Sequence, residues 1–515
     1  MFKINQEHNQ NSLWGFQNTL PDKIRKKLLK SQYYFFYEIF FRNINENDFK
    51  ILYSEKASRP NAPINCMVAA LVLKQKRNWS YEELFEQIEF NLLVKTALGL
   101  DRIDELPFDD ATIFNFQNRI KDYYIATGIN LFERIFDNLT EEQIKQLDLI
   151  TNIQRIDSMQ ACSNIRDYSR LQLLIEVLLR LWRILTEADK KSLEQMFSKY
   201  TNKSSGQYIY KLKNSEIPHE LEKIAEIYHH CHKEIIPHYS EQEIYKIFER
   251  VYAEHFTELT DKIIIKTSEE LSSSCLQSPD DVEATYREKR SEEYKGYVFN
   301  VAETASPDND LNLITDVSVN TNNIDDSKIL NGRIEKIKDK TSDIDELHSD
   351  GAYGSVENDK KLTELGITQI QTAVKGRHKE VEIAIERVAD DNYEVKCPYQ
   401  SALSTTTSKR NKVAFDKSIC KNCVYSSKCP AIEMKTNRTY YFTEEDYLRY
   451  QRIKNILKIP EERRKIRSNV EATIHEFSCR LVNGKMKVRG FFKATLFAFT
   501  TAIAINFGRI YRYTH

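Results

Sequence analysis

At 515 residues the chain exceeds what one hydrophobic core usually supports, so two to four structural units are expected. Hydrophobic residues at 41% and charged residues at 29% are ordinary for a soluble protein, and the absence of an internal repeat or low-complexity tract argues against a repeat architecture. The formal charge of −1, from 75 Lys and Arg against 76 Asp and Glu, gives no global sign of a nucleic-acid partner. Locally the balance shifts: residues 461–515 hold 11 basic against 4 acidic side chains, and residues 303–346 hold 5 against 11. A basic C-terminal region beside an acidic central one predicts a localised polyanion-binding face, with solvated helix charge as the plain alternative.

The first thirty residues are polar and charged, without an apolar signal core or a cleavage pattern, so export is not expected. Residues 21–145 read as helices almost throughout, with an apolar run after Pro63, a capping box at Ser80-Tyr-Glu-Glu83, and an acidic N-cap at Asp109 or Asp110. Such short helices suit a helix-turn-helix DNA reader or a plain bundle. A strand-like run from Ile153 carries Asp157, and long helices then fill about 168–263. Alternating segments at 282–289, 294–302 and 313–319 predict paired strands. Helix 325–339, strand 344–350, helix 355–365 and strand 367–374 follow. The order predicts a mixed α/β domain with the helical block 164–263 inserted into it. Ala494 to Ile505 is apolar but falls short of the ~20 residues that span a bilayer, and reads as a buried core helix.

Nine cysteines, odd in number and unevenly placed, fit a reducing cytoplasm better than a disulfide framework. Cys66, Cys162, Cys231, Cys275 and Cys479 are scattered and read as packed thiols, whereas Cys397, Cys420, Cys423 and Cys429 cluster. Four thiolates with a two-residue gap between the central pair predict a structural Zn²⁺ site, with an empty four-cysteine knot or a redox pair as rivals. In His229-His-Cys-His232 only the outer histidines share a helix face, which favours packing over metal binding.

Three distant acids have local settings that suggest chemistry. Asp157 lies within a strand, where a side chain is held rigidly, though a surface-facing acid would read the same way. Asp350 ends a strand before Gly351-Ala-Tyr-Gly354, placing a carboxylate where α/β sheets open their crevice, with an ordinary Asp-Gly turn as the alternative. Tyr353 could stack on a base or simply pack. Glu471 follows Arg467 by four residues on a basic helix that also holds Arg463, Arg464 and Lys465, so the pair is either a phosphate-gripping site or an exposed ion pair. Two strand acids and one helix acid can converge on a pair of hard divalent cations, as phosphodiester cleavage requires.

Together these residues resemble the DDE transposases of bacterial and archaeal insertion sequences, particularly the IS eleven-eighty-two group. The likeness runs through Ser58-Arg-Pro-Asn-Ala-Pro to Ala111-Thr-Ile-Phe-Asn-Phe, Tyr286-Arg-Glu-Lys, Tyr294-Lys-Gly-Tyr, Asp350-Gly-Ala-Tyr-Gly, the Cys397-Pro and Cys420-x-x-Cys insertion, and Arg467-x-x-x-Glu471. The resemblance implies an RNase H-like core in which Asp157, Asp350 and Glu471 bind two Mg²⁺ or Mn²⁺ ions. It also implies recognition of terminal inverted repeats, strand transfer into target DNA, and a homodimer that joins two element ends. Phosphate contacts are expected from Arg464, Lys465, Arg467, Arg480 and Lys485, with Tyr353 against a base. The related signature of Tyr, Arg, Glu and Lys would place Tyr at 464 and Lys at 478, where this chain has Arg464 and Ser478. The expected architecture is an all-α N-terminal domain (1–145), core segments at 146–163, 264–375 and 437–515, the helical insertion (164–263), and a cysteine-rich zinc-ribbon-like insertion (376–436). A nuclease without strand transfer and a catalytically inactive DNA-binding regulator are the alternatives.

Overall fold

The computed structural model describes residues 1–9, 15–56, 59–234, 239–259, 262–371, 381–389, 392–406, 410–460, 463 and 465–515. The N-terminal part is helical: α1 (Phe16–Thr19), α2 (Asp22–Leu29), α3 (Gln32–Ile39), α4 (Ile64–Arg77), α5 (Tyr81–Phe90), α6 (Leu92–Ala97), α7 (Asp110–Thr127) and α8 (Leu131–Gln146). Local chemistry sets these limits. Ser80 and Glu83 form the reciprocal capping box of α5, Asp109 accepts from the Thr112 amide at 2.7 Å to cap α7, and Asn78 closes α4 in the left-handed region at φ 55°.

β1 (Ile153–Cys162) follows, then the helices α9 (Arg170–Ile184), α10 (Glu187–Thr201), α11 (Ser205–Tyr210), α12 (Ile217–Glu234) and α13 (Glu243–His255). Leu174, Leu178, Phe197, Tyr228 and Phe248 build a core for this block separate from that of the sheet. The block ends in a hairpin of β2 (Phe256–Leu259) and β3 (Lys262–Ile265), which the helical reading of 168–263 missed because its strands are only four residues long.

The chain then completes a six-stranded mixed sheet with β4 (Thr285–Lys289), β5 (Glu292–Thr304), β6 (Ile314–Thr321), β7 (Glu346–Ser349) and β8 (Thr368–Gln371). β5 pairs antiparallel with β1 along one edge, while its other edge is divided between β4 and β6. β7 and β8 continue from β1 in parallel. The crossover helices α14 (Asp326–Lys340) and α15 (Val356–Glu364) cover one face, where Leu330, Ile334 and Leu362 meet Ile156, Ala302 and Leu347. The final residues of the strand predicted over 367–374 lie outside the described residues.

Small β-sheets made from β9 (Ala384–Ala389), β10 (Asn392–Lys396), β11 (Ser401–Leu403), β12 (Thr405–Thr406), β13 (Asn411–Asp416), β14 (Ile432–Glu433) and β15 (Asn437–Phe442) surround α16 (Lys417–Lys421). The chain returns through α17 (Glu444–Lys458), α18 (Val470–Ser478) and α19 (Phe491–Thr514). By length and composition α19 could cross a membrane, yet 89% of its apolar window is buried inside the protein, as the core-helix reading requires. Its Phe497, Phe499 and Ile503 belong to the same core as Val68 and Leu71 of α4, Phe136 of α8 and Phe299 of β5.

A buried charge cluster fastens the N-terminal helices to this sheet. Asp316 of β6 meets Arg333 at 2.7 Å and Lys340 at 2.9 Å, and these in turn reach Glu133 and Asp137 of α8. Burial pushes the Asp316 carboxyl upward, but Lys340 and Arg333 outweigh it and bring the group down to about 2. Because the folded value is depressed, its contribution is complete above the ordinary value of 3.8 and disappears as pH falls toward about 2. Asp316→Asn should cost about 3 kcal/mol at neutral pH by removing the buried charge that Arg333 and Lys340 share. In urea titrations the gap between variant and wild type should narrow across that acidic window.

Candidate active site

The register of the sheet brings the first two acids level. Arg155 of β1 is opposite His348 of β7 in a parallel ladder, and Asp157 and Asp350 each lie two residues further on. Asp157 remains within the β1–β5 ladder, opposite Val301, whereas Asp350 leaves the strand end and caps the 3₁₀ turn Gly351–Tyr353 by accepting from the Ala352 amide. Their side chains differ in exposure, at 13% for Asp157 and 41% for Asp350. Burial raises the Asp157 carboxyl, the Arg467 guanidinium pulls it back, and the charge of Asp350 raises it further.

Glu471 lies in the first turn of α18, which packs on β1, and is 69% exposed. Arg467 belongs to a 3₁₀ turn (Arg467–Asn469) just before that helix. Its Nη2 is 2.7 Å from Asp157 Oδ2 and 4.0 Å from Asp350 Oδ2, and its Nη1 is 3.4 Å from Glu471 Oε1. One guanidinium therefore meets all three acids, and the cluster holds two negative charges in excess.

The turn carrying Asp350 is fixed from beneath. Tyr353 is 1% exposed, and its hydroxyl accepts from Asn300 Nδ2 at 2.6 Å. The expected stacking of Tyr353 on a base is thus corrected: its ring is a floor beneath the two aspartates and cannot reach a ligand. Gly354 has an ordinary φ of −74°, and two side-chain ends close in on it. A Cβ there would come within 2.4 Å of Arg452 Nη1 and 2.7 Å of Gln371 Nε2.

Helix α18 is held to the sheet by Glu303 of β5, which is fully buried. Glu303 accepts from Arg155 Nε at 2.6 Å, Thr473 Oγ1 at 2.7 Å and Arg509 Nη1 at 2.7 Å. Arg155 also donates to the Ile466 carbonyl at 3.1 Å, directly before Arg467. Sequence reading missed this group, because an acid in an alternating strand carries no local signal of its partners.

The other expected phosphate-binding residues are dispersed. Lys465 is exposed near the site, while Lys485 donates to the Ile165 carbonyl and pairs with Asp167 at 2.7 Å, tying the loop before α19 to the end of β1. Arg480 is half-buried beyond α18, with its Nη1 donating to the Glu476 carbonyl. Arg464 lies outside the described residues.

The four-cysteine zinc site is not supported. Among the described residues no group of three or more His, Cys, Asp or Glu side chains is arranged to hold a metal ion. Cys397, Cys420 and Cys429 pack against the apolar core of the small β unit, whereas Cys423 is not part of that contact, so the spacing that suggested a tetrahedron does not close one. Burial, with the neighbouring Cys397 and Cys429, raises the Cys420 thiol despite the opposing pull of Arg438. The three acids do not close on a common point either, because the Arg467 guanidinium lies among them.

Two family models match the chain: Transposase domain (DUF772) over residues 25–119, and Transposase DDE domain over residues 391–511. The first spans α4 and most of α7, and the second spans Arg467 and Glu471. No curated protein and no solved structure matches. The two matches support an insertion-sequence DDE transposase, a class that acts on DNA and generally uses divalent metal ions.

Glu303→Gln should keep the shape of the clamp while leaving Arg155 and Arg509 without their shared charge. A loss of about 3 kcal/mol in urea unfolding is expected. An unchanged midpoint would remove Glu303 as the anchor of α18.

Proposed function

We propose that the chain is a DNA transposase that recognises the terminal inverted repeats of its own insertion sequence, cuts the DNA at the element ends, and transfers them to target DNA. The observation carrying this reading is the meeting of Asp157, Asp350 and Glu471 on the one guanidinium of Arg467, in a chain with one transposase match over its N-terminal helices and a second that spans Arg467 and Glu471. Three hard oxygen donors around a cation, with negative charge in excess, fit Mg²⁺ or Mn²⁺. The guanidinium is the stand-in ion that supports this fit. Two such ions, when bound, would polarise the scissile phosphate, favour deprotonation of the attacking oxygen and stabilise the leaving oxygen.

The protein's own part is placement. Asp157 is a fixed reference point on a central strand, Asp350 closes from the neighbouring strand end, and Glu471 approaches from the helix that Glu303 anchors. Arg467 balances the carboxylates in the free protein and grips the DNA backbone when the cations are in place, its fork matching phosphate oxygens. Attack by water then frees the element's 3′ end, and attack by that 3′-hydroxyl joins it to target DNA. One site serves both steps because they differ only in the nucleophile.

The mixed sheet, with acids on β1 and at the end of β7 and a third on α18, supports an RNase H-like core. The N-terminal helices, the helical insertion and the cysteine-bearing unit follow the order of the IS eleven-eighty-two group. End recognition falls to the N-terminal helices, and pairing of two ends calls for a homodimer.

The test uses a duplex carrying the element end, supplied with Mg²⁺ and target DNA. Asp157→Asn, Asp350→Asn and Glu471→Gln should each lower cleavage by about a thousandfold or more, the loss of several kcal/mol of transition-state stabilisation. Normal cleavage by Asp350→Asn would sink the catalytic reading. Cutting without joining by the wild type would leave a nuclease.

A further inference from the structure

A second charged cluster lies where the N-terminal helices meet the C-terminal ones, and here the charge is positive. Helix α4 ends in Lys74, Lys76 and Arg77. The Lys76 ammonium is 4.8 Å over the Phe507 ring of α19. A Cβ on Gly508 would be 3.7 Å from both Lys76 Nζ and Arg512 Nη1, so the two cations meet over the bare backbone of a glycine. Arg480 approaches from beyond α18, its Nε buried without a hydrogen-bond partner.

Among the described residues, the carboxylate that meets this group is Glu476. Glu476, the nearby carboxylate, is engaged by Arg509 at 2.7 Å and Arg512 at 3.3 Å. Among the described residues neither Lys76 nor Arg480 has a salt bridge. Burial depresses the Lys76 ammonium to about 8, and the charged groups that add to this are Arg77, Arg480 and Arg512. Crowded like charges destabilise a fold unless an anion joins them.

We infer that Lys76, Arg480 and Arg512 form a binding station for a phosphate of the DNA backbone, at the seam between the N-terminal helices and the helix bearing Glu471. The inference rests on the proposal that DNA is the substrate. Two guanidinium forks and one point charge suit a phosphodiester, whose oxygens can accept from all three. Glu471 is in the first turn of α18 and Arg480 lies just past its last residue, so the acids and this station sit at opposite ends of one short helix. A phosphate held there would set the register of the element end relative to the cleavage site.

The experiment measures binding of the element-end duplex, and of an unrelated duplex, by fluorescence anisotropy across a salt series without divalent cations. Lys76→Gln, Arg480→Gln and Arg512→Gln should each flatten the slope of log K against log salt by about 0.9 and weaken binding about tenfold, equally on both duplexes. Lys76→Arg should restore the wild-type slope, and Lys191→Gln on the distant α10 should not alter it. Wild-type slopes in all three glutamine variants would overturn the station, as would a lowered melting temperature with no change in slope, which marks a purely structural cluster. Asp350→Asn keeps the two readings apart: it is expected to bind with the wild-type slope and fail to cut. If it cut normally, the catalytic reading would fall while the salt slopes still judged the station.

Discussion

The arrangement of the site depends on one buried carboxylate. Glu303 is inside the sheet and shares its charge with Arg155 of β1 and Arg509 of α19, while Thr473 of α18 donates a third hydrogen bond. Taking an acid and two guanidiniums out of water costs several kcal/mol per ion, and their attraction offsets this only when geometry and partners are complete. The return is therefore chiefly positional. Asp157 needs no such help, because β1 is laddered to β5 from Gln154 through Cys162. Glu471 does, because it projects from a nine-residue helix at the surface.

The same logic joins the helical N-terminus to the sheet. Phe136, Val68 and Leu71 share a core with Phe299 and the α19 phenylalanines, and the Asp316 cluster seals its margin. The helices of 1–145 are thus not an appended bead with a core of their own. The block 170–255, in contrast, has a separate core, as does the cysteine-bearing unit. Changes inside those two units need not disturb the acids, whereas changes in α4 or α8 reach the sheet directly.

Much of this was legible in the sequence because hydrophobic period and capping act locally. The predicted helices over 325–339 and 355–365 are seen as Asp326–Lys340 and Val356–Glu364, and the strand predicted to 350 stops at Ser349, with Asp350 capping the turn that follows. What escaped depends on contacts between distant residues. The sequence places Asp157 and Asp350 193 positions apart, and only the β1–β7 register makes them level. Tyr353 after an Asp-Gly turn looks the same whether it faces solvent or the sheet. Gly354 lies against the tip of Arg452, nearly a hundred residues later. The cysteine spacing misled because a two-residue gap limits where two thiols lie but leaves the other two to the fold of the surrounding strands.

Charge is divided along α18 in a way that the proposed function would use. Asp157, Asp350 and Glu471 gather at its N-terminal end with a single guanidinium among them, and Arg480, Lys76 and Arg512 gather at its C-terminal end. Each cluster has the sign that the helix dipole favours at that terminus. A negative pocket alone would repel DNA, and a positive one alone would hold it without gathering hard cations. On the proposed reading, separating them along one short helix would let backbone affinity come from one end and cation affinity from the other. Because Glu303 fixes the helix to the sheet, the spacing between the two is set by the fold, and a duplex gripped at the basic end would present a defined phosphate to the acids.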